Sequence, residues 1–183
     1  MINNLELKAI ANKIKVIILD VDGVMTDGSL TFDENGVEYK TFNAKDGQGI
    51  QLLHKADLIP AIITKRKNGT IEYRAKVLGI KELYVGQENK ELALVKIIEK
   101  YGISYNEVAY MGDDIPDIRV LEKVGLPCCP QDAVLEVKEV SKFISAKNGG
   151  KGAVRELCDF ILKTKGFNLK ELLEIPAKVA TGT

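Results

Sequence analysis

The stretch "IILDVDGVMTDGSL", Ile17 to Leu30, sets three aspartates directly behind an apolar run. The run itself, "KVIIL" (15–19), is rich in β-branched residues and apolar at nearly every position, the pattern of a strand buried on both faces. Such strands do not ordinarily end in like charges. Asp20 and Asp22 lie two residues apart and Asp27 follows in the same turn, so their carboxylates repel unless an opposite charge holds them.

Outward from this strand the theme repeats. "IPAIIT" (59–64), "ELYVG" (82–86), "VAYMG" (108–112), "LPCC" (126–129) and "KFIS" (142–145) are further short apolar runs. Helical patterns fall between them at 46–57, 68–78, 89–101, 114–124, 132–140 and 151–164. Asn68 and Asn89 suit N-caps, Gly79 and Gly102 suit the position just past a helix, and Pro116 suits a first turn. Strict alternation of strand and helix predicts an α/β fold, a Rossmann-like, doubly wound parallel sheet. One segment departs from it: "GSLTFDENGVEYKTFN" (28–43) has two strand-like halves around "DENG" and reads as a β-hairpin. It is inserted after the first strand, over the edge where such folds bind ligands, and takes the place of a cap domain. A single domain over residues 1–183 is expected, with a hairpin flap at 28–42 and an amphipathic tail, 166–183, that docks or frays.

Composition narrows the function classes. Lysine plus arginine and aspartate plus glutamate each number 26, so no net charge draws the chain to nucleic acid or a membrane surface. No segment approaches the roughly 20 apolar residues that span a bilayer, and "MINNLELKAIANKIK" carries charge throughout. Cys128, Cys129 and Cys158 form neither a disulfide framework nor a paired metal spacing and read as reduced thiols. A cytoplasmic protein is expected.

In a parallel sheet every strand delivers its C-terminal residues to one edge. That edge would gather Asp20 and Asp22, Thr64 with Lys65 and Arg66, Lys90 at a helix start, and Gly112-Asp113-Asp114. Hard oxygen donors without histidine or thiolate point to magnesium. With the charge screened, a carboxylate can attack a phosphoryl group, and a second one two residues on can protonate the leaving oxygen. Taken singly these residues say little: "DVDG" also suits a turn, Thr64 a strand-end hydroxyl, Lys90 a solvated helix lysine, and Arg74 a surface ion pair.

Together, and in this order, "DVDGVMTDG", Thr64, Lys90 and "GDDIPD" resemble the four motifs of the haloacid dehalogenase superfamily. With "KTFNAKDGQGI", "GQENK" and "NGGKGAVRE", residues 12 to 162 are similar to a capless, tetrameric branch that hydrolyses 3-deoxy-D-manno-octulosonate 8-phosphate in lipopolysaccharide precursor synthesis. The resemblance implies Asp20 as nucleophile and magnesium ligand, and Asp22 as general acid/base that lends its backbone carbonyl to the metal. It implies Asp113 as the third ligand, with Asp114 and Asp117 orienting metal waters and Lys90. Thr64 and Lys90 would hold phosphoryl oxygens. Asn43, Ala44, Lys45, Asp46 and Gly47, with Gln51, would line the substrate pocket. Arg66 and Arg74 would meet a phosphorylated sugar acid, and homotetramer interfaces would complete the sites. Lys65 departs from the pattern, which has glycine there. Two rival expectations are a phosphatase for a nine-carbon sugar acid 9-phosphate, which Arg66 disfavours, and a receiver-type phosphoacceptor domain, whose nucleophile sits on a later strand.

Overall fold

The computed structural model describes residues 3–175. Its first strand, β1 (Val16–Leu19), is buried along its whole length, as the apolar run demands. It is flanked by β4 (Ile59–Ile63) and β6 (Val108–Met111), both parallel, with Val16 in register with Ile59 on one side and Val108 on the other. The sheet continues through β5 (Glu82–Tyr84) beyond β4, and through β7 (Leu126–Cys129) and β8 (Phe143–Ile144) beyond β6. The order β5-β4-β1-β6-β7-β8 reverses at β1. At such a reversal neighbouring loops diverge and leave a crevice at the carboxyl ends of the strands.

Alternation along β1 divides the core. Ile17 and Leu19 pack with residues of α2 (Ala44–Lys55), α3 (Gly69–Leu78) and α7 (Ala153–Thr164). Val16 and Ile18 face α4 (Lys90–Tyr101), α5 (Ile118–Leu121) and α6 (Leu135–Val140) on the other side. Each layer is the apolar stripe of its helices laid on one face of the sheet.

The helix starts follow their caps. Asn68 and Asn89 accept from the backbone N–H of Thr70 and Glu91, and Gly79 and Gly102 close α3 and α4 in the left-handed conformation. Two helices differ most from the expected spans, while α2 lies two residues earlier and α7 begins two residues later. The 114–124 segment begins as a 3₁₀ turn, Ile115–Asp117, because Asp114 caps it and Pro116 lies within that turn, and only then becomes α5. The expected 132–140 helix begins at Leu135, because the Val134 N–H is bonded to the Asp113 carbonyl. An N-terminal helix that the periodicity reading passed over, α1 (Asn4–Ala11), is nucleated by a reciprocal capping box between Asn3 and Glu6.

The inserted hairpin is short: β2 (Thr31–Phe32) pairs antiparallel with β3 (Glu38–Tyr39), and Asp33 ties the turn through bonds from the N–H groups of Asn35 and Val37. The described part of the tail folds into α8 (Glu171–Glu174), where Leu172 is buried and Lys55 of α2 donates to the Leu173 carbonyl. The expectation for the tail beyond Ile175 lies outside the described residues.

Cys128, Cys129 and Cys158 are fully buried in the layers against the sheet, and burial pushes all three thiols up. A thiol-exchange reagent should therefore label none of them in the native protein and all three once it is denatured. Fast labelling of any one in buffer would show that the core is not closed as described.

Candidate active site

Asp20 follows the last residue of β1, where its N–H still donates to the Met111 carbonyl of β6, so the sheet fixes where its carboxyl begins. One carboxyl oxygen, Oδ1, accepts from the Val21 N–H at 2.7 Å. The other, Oδ2, accepts from the Lys90 ammonium at 2.6 Å. Lys90 is the first residue of α4 and is only 5% exposed, which a lysine tolerates only when paired. Its second partner is Oδ1 of Asp117 at 2.7 Å. Burial alone would lower the lysine, but Asp20 and Asp117 outweigh it and hold it charged above the usual lysine range.

Asp117 is an anchor. Its Oδ1 also accepts the buried Tyr110 hydroxyl, and its Oδ2 accepts the N–H groups of Asp113 and Asp114. The loop after β6 is thus bound to the same centre as β1 and α4. Asp113 reaches in from this loop and packs on Gly23, where φ is +76° and any added Cβ would overlap the Asp113 carboxylate. Only glycine serves at that position. Burial first, then repulsion from Asp20 and Asp117, pushes Asp113 up to about 8, and burial pushes Asp20 up to about 6 against the pull of Lys90.

Carboxylate oxygens of Asp20, Asp113 and Asp117 lie within 4.8 Å of one another. A largely buried all-oxygen set, in which Asp20 and Asp113 resist ionisation, fits a small divalent cation, whose charge would offset that cost. Asp117 already accepts four hydrogen bonds, so Asp20 and Asp113 are the side chains best placed to hold the ion.

A cleft of about 320 Å³ opens beside this cluster, lined by residues that include Asp20, Asp22, Thr64, Lys65, Arg66, Lys90, Asp113 and Asp114. Thr64 is buried at the end of β4, and its hydroxyl accepts from the Arg66 N–H at 3.2 Å. The Arg66 Nε lies 3.4 Å from Oδ2 of Asp22. Lys65 also borders a neighbouring cleft, and its ammonium sits 3.5 Å from Glu88. Asp114 turns to the loop and caps the Ile115 N–H.

The other expected pocket residues stand outside this cleft in the single chain. Asn43 caps α2 and donates to the Gly150 carbonyl. Ala44 and Lys45 are exposed at the start of that helix. Asp46 is buried and accepts the Arg155 N–H, while Gln51 donates to the Leu78 carbonyl. Arg74 lies against Gly47, with its guanidinium over the Phe42 ring and a bond to the Asn43 carbonyl. Two contributors escaped the sequence reading. Lys40, from the hairpin, bonds Asp22. Gly149 and Gly150 brace the loop after β1: the Gly150 N–H donates to the Val24 carbonyl, and Gly149 packs on the Gly23 carbonyl. The run "NGGKG" was the visible signal for the second.

The haloacid dehalogenase-like hydrolase family matches residues 53–157. A 3-deoxy-D-manno-octulosonate 8-phosphate phosphatase, KdsC, of Escherichia coli (strain B / BL21-DE3) is 44% identical over 161 residues, 88% of this chain and 86% of its own. The chain belongs to the haloacid dehalogenase-like hydrolase family. Among solved structures, a 3-deoxy-D-manno-octulosonate 8-phosphate phosphatase from Moraxella catarrhalis, in complex with magnesium, phosphate and KDO, matches with TM-score 0.90 and 37% identity over 94% of this chain and 98% of that one. The Yersinia pestis phosphatase of the same description matches with TM-score 0.87 and 39% identity over 88% and 87% of the two chains. The expected enzyme class, a phosphoric monoester hydrolase, stands, and so do the expected fold and superfamily.

Gly149 offers a test of the brace. A Cβ there would overlap the Gly23 carbonyl oxygen, whereas at Gly152 the nearest atom would be Lys147 Cγ at 3.8 Å. Displacing the Asp20 loop by a fraction of an ångström should lower turnover in Gly149→Ala by about 10- to 100-fold. Equal turnover in Gly149→Ala and the native chain would show that the brace does not set the site.

Proposed function

We propose that the protein hydrolyses a phosphomonoester with magnesium through an aspartyl phosphate, and that its substrate is 3-deoxy-D-manno-octulosonate 8-phosphate. The observation that carries the reading is the buried Lys90 ammonium held between Asp20 and Asp117 at the mouth of a carboxylate-lined cleft. The names of the relatives and the sugar acid bound in the Moraxella catarrhalis structure support the substrate.

Asp20 supplies the nucleophilic oxygen. As it bonds to phosphorus, the bond to the sugar oxygen breaks and Asp22 gives that oxygen its proton. Asp22, now a carboxylate, takes a proton from water as the water attacks phosphorus, and phosphate leaves with Asp20 restored. Lys90 and the Thr64 hydroxyl hold the phosphoryl oxygens, and Arg66 meets the sugar acid beside Asp22. Magnesium, held by Asp20, the Asp22 backbone carbonyl and Asp113, supplies charge neutralisation for the anionic nucleophile and phosphoryl group. The flank of Asn43, Ala44, Lys45, Asp46, Gly47, Gln51 and Arg74 shapes the pocket's outer wall.

The hairpin supports an assembly. Leu30, Phe32, Val37 and Tyr39 are each more than half exposed, an apolar surface on a two-stranded ribbon that is marginal alone in water. Four copies meeting through their hairpins would cover it and shield the open cleft, where water weakens every charge interaction.

Phosphate release should be measured over a panel of sugar phosphates. Activity should be highest on the eight-carbon acid, vanish in excess chelator and return with magnesium; full activity in chelator would end the metal reading, and a preference for the nine-carbon acid would move the substrate. Light scattering should give about four times the 20.1 kDa chain mass. Phe32→Asp should break the assembly by burying an unpaired charge. A fully active monomer would overturn the tetramer.

A further inference from the structure

Lys40 leaves the hairpin just after β3, and its side chain is 1% exposed although it carries a charge. Its ammonium reaches Oδ1 of Asp22 at 2.5 Å and Oε1 of Glu38 at 2.8 Å. The other oxygen of Glu38 accepts from the Asn68 amide at 3.2 Å. Asn68 is itself fixed, because its Oδ1 caps α3 through the Thr70 N–H at 2.8 Å. A chain of contacts therefore runs from a helix start, through the hairpin, to the carboxyl group beside the nucleophile. Buried ammonium groups are costly unless paired, and one paired twice has its position set by its partners rather than by solvent. The second contact to Asp22 comes from Arg66, longer at 3.4 Å and from a side chain 48% exposed. The lysine is the tighter constraint.

We propose that Lys40 is a positioning residue for Asp22: it fixes the rotation of that carboxyl group and so the direction from which the group meets the leaving oxygen. The inference rests on Asp22 as the proton donor. It makes the hairpin root part of the catalytic apparatus of its own chain, whatever the hairpin tip does in assembly. Glu38 and Asn68 act behind it, holding the ammonium where Asp22 needs it. A carboxyl group released from this tether could still accept or give a proton, but from a spread of orientations. Misplacement on the scale of an ångström costs about 100-fold in such steps.

The test compares two leaving groups in single-turnover rapid-quench experiments with magnesium present. The alcohol of 3-deoxy-D-manno-octulosonate 8-phosphate needs a proton as it leaves; the nitrophenolate of p-nitrophenyl phosphate does not. Lys40→Met should lower the ratio of the first rate to the second by about 10-fold or more. Lys40→Arg, which keeps the charge and reach, should recover most of it. An unchanged ratio in Lys40→Met, whether both rates fall or neither does, overturns the inference, as does loss of both reactions, which would assign Lys40 to stability alone. Asp22→Asn run in parallel separates the premise from the inference. If it leaves the ratio unchanged, the proton-donor reading fails; if it depresses the ratio while Lys40→Met does not, only the role of Lys40 fails.

Discussion

The ammonium of Lys90, shared between Asp20 and Asp117, is the contact on which the site depends. It ties together three pieces of chain that the sheet brings to one edge: the end of β1, the start of α4 and the loop after β6. Asp117 passes the constraint on to the Tyr110 hydroxyl and to the backbone of Asp113 and Asp114. One lysine faces three carboxyl groups, so the protein's own cation anchors the cluster without matching it charge for charge. That imbalance is the physical answer to why a buried strand ends in aspartates. The crowding of three acidic groups around one ammonium suits a divalent ion.

Much of this arrangement was legible from the residues. β1 could be read because continuous burial leaves an unbroken apolar run, and the same signal marked β4, β6 and β7. Asn68, Asn89, Gly79 and Gly102 announced their helix ends because capping is local chemistry. Asp20, Thr64, Lys90 and Asp113 could be brought together because a parallel sheet sends strand ends to one edge, which is a matter of topology alone. What the residues did not reveal needs orientation. Gln51 and Asp46 lie on α2 beside the site, yet their bonds go to Leu78 and Arg155, and spacing cannot say which way a flanking helix is rotated. Lys40 was missed for a related reason. Period-two alternation puts it on the face of Glu38, but nothing local states that this face folds back on Asp22.

Lys65 shows how a departure from a family pattern can be accommodated. Its backbone continues the strand end that Thr64 and Arg66 need, while its ammonium leans towards Glu88 between two clefts. The substitution adds positive charge to the rim and leaves the Thr64 hydroxyl bonded to the Arg66 N–H.

The reversal of strand order at β1 has a bearing on how the chain acquires activity. Lys90 and Asp20 are 70 residues apart in sequence, and Asp117 is a further 27 beyond Lys90. Contacts of such separation form only at a cost in loop-closure entropy that no local contact repays. No early hairpin, single βα unit or N-terminal fragment that stops short of β6 brings together Asp20, Lys90 and Asp117. Until β6 closes onto β1, the aspartates remain separate, solvated carboxylates with little tendency to gather a cation or a phosphate. Chemical competence therefore requires the ends of β1, β4 and β6 and the start of α4 to stand together.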